Sequence, residues 1–147
     1  MDSKATQTLL NELVETLKEG QKGYAEAMTD VEDADLKDTF KQFAVQRSGY
    51  INEIEDQMFK LDLKPDESTS VTSKVHRAFI NLKGLVTGKD RESILNECER
   101  GEDVAVKAYQ AALKAEGLPS ALQSVIEKQY QGIQAATSTI KSLKSAA

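Results

Sequence analysis

Asn96-Glu97-Cys98-Glu99-Arg100-Gly101-Glu102-Asp103-Val104-Ala105-Val106-Lys107-Ala108-Tyr109 is a strong helical pattern that carries a glycine and a cluster of acids where a bundle core would pass. At about 100° per residue, Cys98, Gly101 and Glu102 share the inner face and Glu99 lies on its flank. A glycine in a helix interior costs ~1 kcal/mol relative to alanine, so close packing at Gly101 is the expected compensation. An inward carboxylate needs a partner. Whether Glu102 faces a metal ion or an arginine decides what this chain can do.

Working outward, Asp90 is a good N-cap for this helix, which is expected to run to about Glu116. Gly117 reads as its stop and Pro119 as the start of a last helix, with Leu122, Val125, Ile126, Gln129, Ile133, Ala136 and Ile140 inward. Towards the N-terminus, Val71, Val75, Phe79, Leu82 and Val86 form the apolar face of a shorter helix, about residues 71–86, ended by Thr87-Gly88-Lys89. A polar loop from Asp66 to Ser70 precedes it.

A first long helix is expected from near Ser3 to about Val31. Its inner face carries Leu10, Leu13, Val14, Leu17, Gln21, Tyr24, Met28 and Val31. The second buries Leu36, Phe40, Phe43, Arg47, Tyr50, Ile51, Ile54, Met58 and Leu61. It stops before Leu63-Lys64-Pro65, because proline disfavours helix at the preceding residue. The acidic turn Glu32-Asp33-Ala34-Asp35 lacks a calcium-loop pattern and is expected to be a solvated cap.

No strand pattern competes. Two short-linked hairpins joined by one long connection predict an all-α, ferritin-like, up-down-down-up four-helix bundle, with the short helix in the crossover. Residues 1–147 are read as one domain.

Only 2 prolines and 8 glycines interrupt the chain, which permits helices this long. A net charge of −5 argues against nucleic acid or an anionic membrane as a partner. No apolar run approaches the ~18 residues of a membrane span. Cys98 is the single cysteine, so no intramolecular disulfide forms. Met1-Asp2-Ser3-Lys4 leads straight into amphipathic sequence, unlike a secretory leader. A cytoplasmic protein is expected.

Several blocks carry a resemblance: Leu10-Asn11-Glu12-Leu13 with Gly23-Tyr24; Gln46-Arg47 with Glu53; Val75-His76-Arg77-Ala78-Phe79; and Ile94 through Asp103 with Lys107-Ala108-Tyr109. On these the chain resembles a bacterial group of small ferritin-like four-helix-bundle proteins of uncharacterised function. The resemblance implies the bundle fold and no particular activity. Members of that group often carry a histidine late in the final helix, where this chain has Thr137.

Ferritin-like di-iron sites use two glutamates and two Glu-x-x-His motifs, because residues i and i+3 share a helix face. This chain has no Glu-x-x-His. Its candidate metal ligands are Glu53, Glu99, Glu102 and His76, the last in the crossover helix. Such a carboxylate set suits hard ions such as magnesium, calcium or manganese better than it suits iron oxidation chemistry; the cofactor it would take is a divalent metal, iron or manganese. Against it stands an inward polar set from the middles of the four long helices: Gln21, Arg47, Glu102 and Gln129.

With the second and third long helices parallel, Arg47 lies about fourteen residues into one and Glu102 about twelve into the other. At ~1.5 Å per residue they reach similar heights. A buried Arg47–Glu102 pair is the simplest account. Cys98 reads as a buried small hydrophobe, and Tyr24, Tyr50, Tyr109 and Tyr130 as core area with a hydroxyl reaching polar groups or water.

Two functions follow. The first is a non-enzymatic ferritin-like bundle, a stress-associated binding or self-associating protein that forms homo-oligomers. The alternative is a divergent metal-binding bundle or metal-dependent oxidoreductase using the carboxylate site.

Overall fold

The computed structural model of the protein describes residues 2–65 and 91–146. The expected crossover helix, its His76 and the Asp90 cap lie outside the described residues. Those that are described form helices α1 (Ser3–Asp30), α2 (Ala34–Lys60), α3 (Arg91–Lys114) and α4 (Ser120–Ala146), with no strand among them. None of these helices is long and apolar enough to cross a membrane.

The helix ends follow local chemistry. Asp2 caps α1, its carboxylate accepting from the Ala5 N–H at 2.7 Å. At the end of α2, Asp62 adopts a left-handed backbone, φ 58°. That geometry lets the Leu63 N–H reach back to the Met58 carbonyl at 2.8 Å and the Asp62 N–H to that of Phe59 at 3.1 Å. The cap turns Leu63 into the core and leaves Leu61 38% exposed, so the inner position expected for Leu61 belongs to Leu63. Gly117, with φ 87°, closes the turn between α3 and α4.

Two apolar clusters show how the helices run. One joins Tyr24 and Ala27 late in α1, Leu36 and Phe40 early in α2, Leu95 and Cys98 early in α3, and Ile140 late in α4. The other joins Leu10 and Leu17 early in α1, Ile54 and Met58 late in α2, Tyr109 and Ala112 late in α3, and Leu122 and Ile126 early in α4. Hence α1 and α4 run one way, and α2 and α3 the other. α1 neighbours α2 and α3, and α4 neighbours α3 and α2, so α2 and α3 face each other across the diagonal.

The acidic turn is more than a solvated cap. Arg91, at the start of α3, donates from Nη1 to Asp33 Oδ2 at 2.8 Å and to Asp35 Oδ1 at 2.9 Å, and its Nη2 pairs with Asp35 Oδ2. The α1–α2 turn is thereby tied to α3. The bond from Arg91 holds the Asp35 carboxyl below the usual carboxylate range.

Candidate functional site

Between the two apolar clusters lies a polar layer. Arg47 and Glu102 are 2% and 0% exposed, and a single guanidinium nitrogen, Nη2, donates to both carboxylate oxygens at 2.9 Å. The Tyr24 hydroxyl donates to Glu102 Oε1 at 2.5 Å. Arg47 Nε donates to Gln46 Oε1 at 3.1 Å, and the guanidinium carbon stands 5.7 Å from the centre of the Tyr24 ring. That ring packs edge-on against Phe43 and tilted against Phe40. An aromatic wall therefore covers one side of the ion pair, where low dielectric strengthens each contact.

A second chain of hydrogen bonds runs beside it. Tyr109 donates to Gln129 Oε1 at 2.7 Å, and the Gln129 amide donates to the Tyr50 carbonyl at 3.1 Å and to Glu53 Oε1 at 3.3 Å. The Tyr50 hydroxyl fills the space above Gly132, only 1.8 Å from where a Cβ would stand. Glycine at 132 thus makes room for an aromatic ring on the facing helix α2.

Burial pushes the Tyr24 phenol well above its ordinary value, and the neighbouring Glu102 carboxylate adds to this. Burial likewise raises the Tyr109 phenol and the Cys98 thiol. Burial opposes the Arg47 charge, but Glu102, aided by Tyr24, outweighs it, so the guanidinium holds its proton more tightly than usual. With its thiol pushed up and fully buried, Cys98 has the setting of an inert core residue.

The sequence-derived candidates are distributed unevenly over this layer. Arg47, Glu102 and Gln129 are buried in it. Gln21 is only partly buried; Gly20, Gly23 and Ala27 turn inward instead, and the α1 residue that reaches Glu102 is Tyr24. The small side chains rotate the inner face in the second half of α1, carrying Gln21 and Met28 to its edge.

Of the proposed metal ligands, Glu53 is exposed and accepts from Gln129. Glu99 pairs with Lys144 at 3.3 Å, and Glu102 is held by Arg47 and Tyr24. Among the described residues no three histidine, cysteine, aspartate or glutamate side chains gather as ligands. Thr137 is buried and turns its hydroxyl onto the Ile133 carbonyl at 3.0 Å.

Glu97 escaped the helical-face reading. It is buried, with Oε1 paired to Arg100 at 3.1 Å, and its Oε2 is a buried side-chain oxygen without a hydrogen-bond partner. The available signal was its spacing from Ile94 and Gly101, three before and four after, both of them buried.

Residues 5–115 match the family described as a domain of unknown function, DUF2383. The chain belongs to that family. No curated protein matches the sequence. The DUF2383 match spans α1, α2 and α3 and so includes Tyr24, Arg47 and Glu102, while α4 with Gln129 lies beyond it.

Proposed function

We propose that this DUF2383 protein is a non-enzymatic, ferritin-like helical bundle that acts through its outer surface, by binding and self-association. One observation carries the reading. Both oxygens of Glu102, a carboxylate buried at the bundle centre, are engaged by Arg47 and Tyr24. In a ferritin-like scaffold this is where a metal-binding carboxylate would stand. A guanidinium in direct contact repels a second cation and consumes the lone pairs that would ligate it. The surface groove lined by Leu9, Leu13, Ala108 and Ala112 shares no residue with this layer.

Metal analysis of untagged protein, before and after incubation with iron(II) or manganese(II), tests the reading. We expect far less than one equivalent, unchanged by Glu102→Gln. One equivalent bound by the native protein and lost in Glu102→Gln would establish the carboxylate metal centre in its place.

A further inference from the structure

The outward face of α2 carries features that the described residues leave unexplained. Gln42, Val45, Gly49, Asn52, Asp56 and Phe59 alternate three and four residues apart and are all exposed, on the side of the helix turned away from the buried Arg47. Alternating spacings of three and four make the seven-residue repeat by which two helices pack along a seam. Val45 is 65% and Phe59 81% exposed. Between them Gly49 weakens the helix, and a Cβ built there would meet nothing within 4 Å. No contact among the described residues requires a glycine at this point.

We propose that this face pairs with α2 of a second copy of the chain, antiparallel about a two-fold axis at Gly49. The charges select the occupant and its direction. Lys41 lies eight residues before Gly49 and Asp56 seven after it, while Asp38 and Lys60 lie eleven before and eleven after. All four are exposed. Antiparallel pairing about Gly49 sets Lys41 of each copy beside the partner's Asp56, and Asp38 beside the partner's Lys60. A parallel pair would stack each charge on its own copy. The two-fold arrangement is self-complementary and closes at the dimer.

At the axis, the two glycines let the helix backbones approach closely. Val45 then packs on the partner's Gly49 and Asn52, and Phe59 covers the alkyl stem of the partner's Gln42. This surface rests on the self-association reading and gives it a location.

Sedimentation or light scattering of the full chain at graded concentrations tests it. The native chain is expected to form a concentration-dependent dimer. Lys41→Glu or Asp56→Lys alone should raise the dissociation constant roughly ten-fold, each change counting twice by symmetry. Lys41→Glu combined with Asp56→Lys should restore the native constant, because opposite signs again meet. Gly49→Gln should abolish the dimer while leaving the thermal midpoint of the dilute monomer unchanged or higher, which separates blocked association from misfolding.

A dimer indifferent to these changes, or a double swap that fails to rescue, overturns this face and register and leaves self-association standing. A chain monomeric at every concentration overturns self-association itself.

Discussion

Arg47 Nη2 lies 2.9 Å from both carboxylate oxygens of Glu102, yet α2 and α3, which carry them, are diagonal helices whose backbones do not approach. The ion pair therefore crosses the bundle axis and joins elements that backbone packing leaves apart. With Tyr24 on α1 it links three of the four described helices through one carboxylate. This makes the pair a device for holding helix register, and its removal is the most informative perturbation.

Arg47→Met should cost about 3–5 kcal/mol, because it leaves the buried Glu102 carboxylate without its counter-charge. Arg47→Met with Glu102→Leu should recover most of that loss. Urea unfolding of the two single variants and the double completes the cycle. A double variant no more stable than Arg47→Met would show that the pairing does not account for the polar layer.

Alkaline pH should destabilise the protein. Burial raises the Tyr24 phenol and the Cys98 thiol well above their ordinary values of 10 and 9. The folded chain keeps these protons at pH values where the unfolded chain releases them. Their contribution is complete below the unfolded values and falls as pH rises through them. Tyr24→Phe should cost about 1.5–3 kcal/mol at neutral pH, the range for a hydrogen bond to a charged group. It should also flatten the loss of stability above about pH 10. An unaltered alkaline slope in Tyr24→Phe would remove this phenol from the account.

Asp62→Gly should stabilise the fold by about 0.5–1 kcal/mol, since φ 58° suits glycine better than any residue with a Cβ. Thermal melts suffice to measure it. A loss instead would mean that the aspartate side chain contributes more to the cap than its backbone costs.

Gly49→Ala should add about 0.5–1 kcal/mol to the dilute monomer, because the position is helical, exposed and open. The melt should be read at low concentration, where association does not contribute.

Much of this was legible in the sequence. Helical periodicity is local, so the inner faces of α2 and α4 follow from residue spacing, and Pro65 and Gly117 mark where helices end. The inward angles of Arg47 and Glu102 and their similar heights follow from the same geometry. The role of Leu63 was hidden, because it depends on a left-handed turn at a residue, Asp62, that is not glycine. The edge position of Gln21 was hidden too, because three small residues rotate the packed face of α1. So was the tie from Arg91 to Asp33 and Asp35, which joins residues far apart in the chain.

By itself the sequence determined the long helices, most of the stripe that α2 and α4 bury, and the two opposite charges placed inward. These rest on a rotation of about 100° per residue, which every residue obeys whatever lies beside it. Only the tertiary structure decided what those charges touch: Glu102 takes Arg47 across the diagonal and Tyr24 from α1, while Gln129 turns to Tyr109 and the Tyr50 carbonyl. That choice depends on how each helix rotates against its neighbours. The rotation is set by side-chain sizes where helices meet, such as Gly20, Gly23 and Ala27 on α1 and Gly132 beneath Tyr50, and no local pattern encodes it.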